Sequence, residues 1–195
     1  HQFNFTEKVE MLNFIKPGGT FLLNSPYNKE EVWAALPGTV QKEIIDKKLS
    51  FYIIDATTVA RDTGMSGRIN TIMQTCFFAL SAVLPKEEAI EQIKHSIEKT
   101  YSKKGKAIVE KNFKAVDATL EHLYQVTVPS TVTSVSEMLS VVSADAPGFV
   151  KDVTAVMMAG HGDELPVSKM SLDGTYPSGT TKWEKRNISD QVPLW

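Results

Sequence analysis

The chain has 195 residues, 42% of them hydrophobic and 23% charged, with a formal net charge of −2. This composition is typical of a globular protein, and the near-neutral balance gives no general attraction to nucleic acid or to a membrane surface. One cysteine excludes an internal disulfide and a cluster held by this chain's cysteines alone, and no apolar run approaches the roughly 20 residues that span a bilayer.

The first third of the chain alternates predicted helices and strands. An N-cap residue at Thr6 and apolar residues on one face predict a helix over residues 6–16. Short apolar runs predict buried strands over 20–24 and 51–55. Between them, a capping-box-like start and a closing proline predict helices over 28–37 and 39–48. This alternation favours an α/β fold with a small, mostly parallel sheet covered by helices.

Three longer helices follow. Residues 69–84 are apolar on almost every side, which predicts a helix buried on several sides. Pro85 and two glutamates suit the start of a second helix, whose apolar stripe ends at Tyr101. A third helix, over about 106–123, carries an apolar stripe that we interpret as the inner face of a helix on its own sheet rather than as a seam for a partner. An edge strand is expected at 125–128.

The composition changes near Pro129. Residues 130–195 are rich in proline, glycine, serine and threonine, a composition that buries little apolar surface. We therefore divide the chain into an α/β part, 1–129, and an extended irregular arm, 130–195. Large aromatic residues spread through the arm are expected to anchor it on other surfaces: Phe149, Tyr176, Trp183 and Trp195.

The junction before the predicted helix at 69–84 is the strongest candidate binding site. Its residues are Gly64, Met65, Ser66, Gly67, Arg68, Ile69 and Asn70. Glycines allow backbone N–H groups to turn toward one point, a helix N-terminus adds partial positive charge, and Arg68 adds a planar, charged donor fork. This combination suits a phosphate or a carboxylate. The alternative is a glycine-rich turn with a solvated arginine.

No complete catalytic centre is evident. The four histidines are scattered, and His95 and His122 lie on polar helix faces, as solvated side chains do. Cys76 lies in an apolar helix, which favours a core residue over a nucleophile. Asp55 ends a predicted strand, so it is either a ligand group at a sheet edge or the cap of the following helix, and the sequence favours neither. We therefore predict no catalytic residue and no metal ligand in this chain.

Long segments resemble one family. GMSGRINTIMQTCFFALSAVLPKEEAIEQIK, FLLNSPYNKEEVWAALP, KAVDATLEHLYQVTVP and DGTYPSGTTKWEKRNI are similar to pyruvate:ferredoxin (flavodoxin) oxidoreductase, a large 2-oxoacid oxidoreductase. The resemblance covers nearly the whole chain. It implies that residues 1–129 are the later half of the family's gamma-type α/β domain, and that residues 130–195 are the linker before its ferredoxin-like domain. The chain also begins at His1 rather than methionine, and we expect it to be a fragment.

The resemblance implies an activity for the parent protein. That activity is the oxidative decarboxylation of pyruvate with coenzyme A to acetyl-CoA and CO2, with electrons passed to ferredoxin or flavodoxin, as in anaerobic metabolism. Thiamine diphosphate with Mg and the [4Fe-4S] clusters would be held by other domains, so the isolated fragment should be inactive and hold no cofactor. The alternatives are an oxidoreductase for another 2-oxoacid and a non-catalytic docking module.

The resemblance also implies partners and a role for the loop. Gly64, Met65, Gly67, Arg68 and Asn70 match the family's GM-G-RIN pattern, in a domain thought to help bind coenzyme A. Ser66 stands where glycine is expected more often, which puts the shape of the loop in question. The expected partners are the remaining domains of the parent, coenzyme A, the electron acceptor and a second copy in a homodimer. We expect a cytoplasmic enzyme without nucleic-acid or membrane partners.

Overall fold

The structure is a computed structural model that describes residues 2–65, 67–81 and 83–184. The chain forms two compact units. Unit 1 contains the residues up to Thr6 together with Met11–Glu137, and unit 2 contains Glu7–Glu10 together with the residues from Met138 onward. Unit 2 is therefore assembled from two separate stretches of the sequence.

Unit 1 is built on a three-stranded sheet. Strands β1, Thr20–Asn24, and β2, Ser50–Ile54, are parallel, with Thr20 opposite Ser50 and Asn24 opposite Ile54. Strand β3, Tyr124–Gln125, pairs antiparallel with β2, so the strand order is β1-β2-β3. The predicted small, mostly parallel sheet is confirmed. The predicted edge strand is shorter than expected, and it lies on the outer side of β2.

In the described part of unit 1, α-helices surround this sheet. They are α1, Val32–Ala35; α2, Gly38–Asp46; α3, Ala56–Asp62; α4, Asn70–Ser81; α5, Lys86–Tyr101; and α6, Lys106–Glu121. Asn28 accepts hydrogen bonds from the backbone N–H groups of Glu30 and Glu31, so its side chain holds the turn that leads into α1. The helices predicted at 39–48, after Pro85 and at 106–123 are present, with ends that differ by one or two residues.

The two sheet faces are covered by different helices, because side chains along a strand alternate between the faces. On one face, Phe21 and Phe51 stack with ring centroids 5.3 Å apart, in a cluster that includes α1 and α2. On the other face, Ile54 packs in a cluster with Val59 of α3 and Ile72 of α4. The sheet is thus buried on both sides, as parallel sheets usually are.

The N-terminal helix prediction is wrong. Two short 3-10 helices, Phe3–Glu7 and Met11–Phe14, replace it. The side chain of Thr6 donates its hydrogen to the carbonyl oxygen of Phe3 at 2.8 Å, so it does not cap a following turn. The carbonyl oxygen of Glu7 accepts from the N–H of Leu139 at 2.8 Å rather than from a helical neighbour. A tertiary hydrogen bond therefore replaces the local one that a continuous helix needs.

Two predictions about helix faces need correction. Helix α4 buries Ile72 and Cys76, but Phe77 keeps 56% of its surface exposed, so the helix is not buried on several sides here. Most of the stripe on α6 does not lie on the sheet, although Leu123, just after the helix, packs in the cluster that contains Ile54. Val109 and Val116 of that stripe cluster with Ile93 and Ile97 of α5, because α5 and α6 pack against each other.

Unit 2 consists mainly of short helical turns and irregular segments. A π-helical turn, Val150–Thr154, continues into α7, Ala155–Met158, and three 3-10 helices follow: Gly162–Glu164, Val167–Lys169 and Thr180–Trp183. Its small core contains Val142, Ala146 and Val150, with Trp183 packed against them. The rings of Phe149 and Tyr176 meet edge to face at 5.1 Å. Three of the four predicted anchors thus have contacts within this unit, and Trp195 lies outside the described residues.

Candidate functional site

The candidate loop follows helix α3 and leads into α4. Gly64 and Gly67 have φ angles of 75° and 76°, in the left-handed region that favours glycine. The N–H of Gly64 donates to the carbonyl oxygen of Arg61 at 3.1 Å, that of Met65 to Ala60 at 2.6 Å, and that of Arg68 to Met65 at 2.9 Å. These three amides hold the turn together. These three amides are therefore not free to bind an external anion, which the sequence pattern had predicted for the amides of this loop.

Met65 fixes the loop to the core. Its side chain is 7% exposed and packs in the cluster that contains Ile54, Val59 and Ile72. On the far side of the loop, the hydroxyl of Thr71 donates to the side-chain oxygen of Asn112 on α6 at 3.4 Å. The loop is therefore attached to α6 as well as to the core. Ser66 lies outside the described residues.

Arg68 is exposed on this loop, together with Gly67 and Asn70. Within residues 2–65, 67–81 and 83–184, no carboxylate forms an ion pair with the guanidinium of Arg68. Asp62, at the end of α3, pairs instead with Arg61 at 3.1 Å. An arginine that no described carboxylate neutralises remains available to an anionic ligand.

One residue beside the loop could not be identified from the sequence. The side chain of Lys111, on α6, lies along Gly64: a Cβ atom built on Gly64 would be 3.4 Å from Cε and 3.7 Å from Nζ of the lysine. Nothing in the local sequence links residue 111 to residue 64. Only the packing of α6 beside the start of α4 brings the two together.

Asp55 lies at the carboxyl end of β2. One of its carboxylate oxygens accepts a hydrogen bond from the backbone N–H of Thr58 at 3.0 Å, so Asp55 is the N-cap of α3. It also lines a cleft of about 480 Å³ at the carboxyl ends of β1 and β2, with Asn24 and Thr57 among its neighbours. Asn24 in turn accepts from the N–H of Ala56 at 2.9 Å. The capping interpretation is confirmed, and a ligand role for Asp55 stays a prediction.

The described residues offer no metal centre. In these parts of the chain, no three histidine, cysteine, aspartate or glutamate side chains lie together in a way that could hold a metal ion. Cys76 is fully buried in α4, and burial raises the pKa of its thiol to about 12. A thiol that stays protonated is a poor nucleophile and a poor metal ligand, so the prediction of a core cysteine is confirmed. His95 and His122 are exposed, as predicted.

His161 is the one histidine described here with two carboxylate partners. In unit 2, its Nε2 lies 2.8 Å from a carboxylate oxygen of Glu10 and its Nδ1 lies 2.9 Å from one of Glu164. The pKa of His161 lies above its ordinary value of 6.5, because of the hydrogen bond to Glu164 in the first place and of the hydrogen bond to Glu10 in the second. Both carboxylates favour the protonated ring, which can donate from both nitrogens.

We expect the contribution of His161 to the stability of unit 2 to depend on pH. Because the pKa of His161 is raised in the folded state, protonation of its ring stabilises that state. This stabilisation is fully present below a pH of about 6.5 and is lost as the pH rises through the raised pKa. An NMR titration of the His161 ring should give a pKa above 6.5, and Glu164→Gln should lower it. Glu91→Gln, on an exposed part of α5, is the matched control. Equal ring pKa values in all three proteins would contradict the prediction.

Comparison with known proteins identifies the family. A family model described as "Pyruvate ferredoxin/flavodoxin oxidoreductase" matches residues 3–122. The chain belongs to this oxidoreductase family. A second model, described as a domain of unknown function, matches residues 135–189. Among the described residues, none of the helices has the length and apolar character that a membrane span requires.

Curated relatives match this chain from end to end. It is 54% identical to the pyruvate-flavodoxin oxidoreductase of Rhodospirillum rubrum over 195 residues, which is 100% of this chain and 16% of that protein. It is 52% identical to the pyruvate-flavodoxin oxidoreductase of Trichormus variabilis over 200 residues, and 44% identical to the pyruvate:ferredoxin oxidoreductase of Moorella thermoacetica over 195 residues. In both cases the match covers 100% of this chain and 17% of the relative. The chain thus spans about one sixth of the length of the relatives it matches.

Proposed function

We propose that this chain is part of an enzyme that oxidises pyruvate with coenzyme A to acetyl-CoA and CO2 and passes the electrons to ferredoxin or flavodoxin. The observation that carries this proposal is the end-to-end match, at 54% identity, to a pyruvate-flavodoxin oxidoreductase. In this proposal, residues 1–129 are the C-terminal part of the gamma-type domain and residues 130–195 are the linker to the next domain. The assembled enzyme is a cytoplasmic homodimer.

The reaction centre lies in other parts of the longer protein. Iron–sulfur clusters are held mainly by cysteine thiolates, and this chain has one cysteine, which is buried and protonated. The described residues therefore do not fit a cluster, and we derive no catalytic step from them. Thiamine diphosphate with Mg is likewise assigned to other domains.

We expect the isolated chain to have no pyruvate oxidoreductase activity and to bind no iron, because it lacks a set of thiolate ligands. Iron analysis after anaerobic cluster reconstitution, together with a visible absorption spectrum, checks this. A full-length relative, the pyruvate-flavodoxin oxidoreductase of Rhodospirillum rubrum, is the positive control. Stoichiometric iron in the isolated chain would contradict the prediction.

The contribution proposed for unit 1 is to coenzyme A binding, through Gly64, Met65, Ser66, Gly67, Arg68 and Asn70. Coenzyme A carries phosphate groups, and a planar guanidinium can donate two parallel hydrogen bonds to a phosphate. Asp62, the carboxylate nearest to Arg68 in the sequence, is already neutralised by its ion pair with Arg61. The glycine φ angles and the buried Met65 hold the loop, and Arg68 supplies the charge.

We expect Arg68→Ala, in the longer oxidoreductase, to weaken coenzyme A binding by roughly 1.5–3 kcal/mol, the range for hydrogen bonds to charged groups. The dependence on pyruvate should hardly change. Arg68→Lys should recover part of the loss, because an ammonium cannot donate in a bidentate geometry. Steady-state kinetics with each substrate varied in turn would measure both effects. An unchanged coenzyme A dependence in Arg68→Ala would return Arg68 to a solvated surface residue.

The contribution proposed for unit 2 is packing between domains. Several of its apolar side chains are strongly exposed in this chain: Leu139, Met157, Val167, Met170 and Leu172. Segments of the longer protein that are absent here would cover them, since the relatives are about six times as long.

A further inference from the structure

The side chain of Lys111 lies beside the first residue of the candidate loop. A methyl group on Gly64 would contact the distal half of this lysine, with Cδ at 3.6 Å and Nζ at 3.7 Å. The side chain therefore lies across the residue that opens the candidate loop. These distances are ordinary van der Waals contacts, so the aliphatic stem of Lys111 passes close to the backbone of Gly64.

The backbone beneath Lys111 is well anchored. The next residue, Asn112, is 1% exposed and donates from its side-chain amide to the carbonyl oxygen of Ile108 at 2.8 Å. Its side-chain oxygen accepts from Thr71, the second residue of α4. The same stretch of α6 thus contacts both ends of the loop, through Lys111 at Gly64 and through Asn112 at Thr71.

The charge at this place is positive. In the described parts of the chain, Lys111 forms no ion pair with a carboxylate, as is also the case for Arg68 on the loop itself. On the neighbouring helix, Lys94 of α5 pairs with Asp117 of α6 at 2.6 Å. An anion bound at this loop would be attracted by both positive charges.

We propose that Lys111 is a second cationic residue of the coenzyme A site, binding a phosphate group of the ligand together with Arg68. This inference rests on the proposed function of the Gly64–Asn70 loop. The planar guanidinium of Arg68 can donate two parallel hydrogen bonds to a phosphate. The ammonium of Lys111, on a flexible side chain of α6, adds a second positive charge. The ligand group is a phosphate ester or diphosphate, since two cations match a dianion.

The test compares two lysine variants of the longer oxidoreductase. Lys111→Met keeps the length of the side chain but removes its charge. Lys114→Met makes the same change at another exposed position of α6, so it controls for the general loss of one positive charge. Equilibrium binding of coenzyme A by calorimetry, at low and at high salt, is the readout, with steady-state kinetics in pyruvate alongside.

We expect Lys111→Met to raise the dissociation constant roughly fivefold to tenfold at low salt, and Lys114→Met to raise it less than about twofold. The difference should shrink at high salt, because salt screens exposed charges. Repeating the measurement with dephospho-coenzyme A, which lacks the 3′-phosphate, identifies the bound group. An equal loss with both ligands assigns Lys111 to the diphosphate, and a loss with coenzyme A alone assigns it to the 3′-phosphate.

Equal effects of the two lysine variants would overturn the role of Lys111. The proposed function is judged separately by Arg68→Ala. If that variant weakens coenzyme A binding while Lys111→Met behaves like the control, the loop binds the ligand without Lys111. If neither Arg68→Ala nor Lys111→Met changes binding, both proposals fail.

Discussion

Replacing Phe51 with alanine should destabilise unit 1 by about 3–5 kcal/mol, the usual loss for a large aromatic side chain in a core. Phe51 is fully buried on the central strand β2, and its ring stacks on that of Phe21 at an interplanar angle of 11°. Removing it deletes contacts with the neighbouring strand and with the helices on the same face. Such a loss is a large part of the stability of a typical domain.

Phe14→Ala is the matched control, because Phe14 is 91% exposed at the end of its 3-10 helix. Its substitution should change stability by less than about 0.5 kcal/mol. Urea unfolding of the 195-residue chain, followed by far-ultraviolet circular dichroism, gives both values. Similar midpoints for the two variants would show that β2 is not the centre of this core.

Replacing Gln41 with methionine should lower the free energy of unfolding by about 2–4 kcal/mol, although the two side chains have similar volumes. Gln41 is fully buried on α2, where its amide donates to the carbonyl oxygen of Trp33 at 2.5 Å. Its side-chain oxygen accepts from the backbone N–H groups of Thr133 at 2.8 Å and Ser134 at 3.0 Å. Methionine leaves these three backbone groups without this partner, and an unsatisfied buried group costs about 1–3 kcal/mol.

Gln74→Met, at an exposed position of α4, controls for the change of residue type. Amide hydrogen exchange adds a local readout: in Gln41→Met the amides of Thr133 and Ser134 should exchange faster, while those of β2 change only with global stability. Unchanged exchange at these two amides would show that Gln41 does not hold this segment.

The strands and helices with strong local patterns could be predicted from the sequence. β1 and β2 are short apolar runs with turn residues after them, and α5 has a proline start and a regular apolar stripe. The predicted N-terminal helix is absent because the carbonyl oxygen of Glu7 accepts a hydrogen bond from Leu139. A local sequence pattern cannot include a residue so distant in the chain. The buried role of Gln41 was not predicted, and its position next to Val40 on the buried face of α2 is clear only from the structure.

For the candidate site, the sequence indicates the loop and Arg68 but not the environment of either. Glycines at two positions of positive φ were expected from the turn. The use of the amides of Met65 and Arg68 within the turn, and the approach of Lys111, depend on how α3, α4 and α6 pack together. Such contacts join residues that are distant in the chain, and a single sequence does not report them.

The discontinuity of unit 2 has a consequence for dissecting the protein. No single cut can separate the two units, because residues Glu7–Glu10 belong with the residues from Met138 onward. A truncated chain starting at Met138 would lack the carbonyl group that accepts from Leu139 and one of the two carboxylates beside His161. A synthetic peptide spanning Glu7–Glu10, added in trans or fused ahead of Met138, would be needed to restore these contacts. Unit 2 is therefore better suited to fragment complementation or circular permutation than to simple truncation.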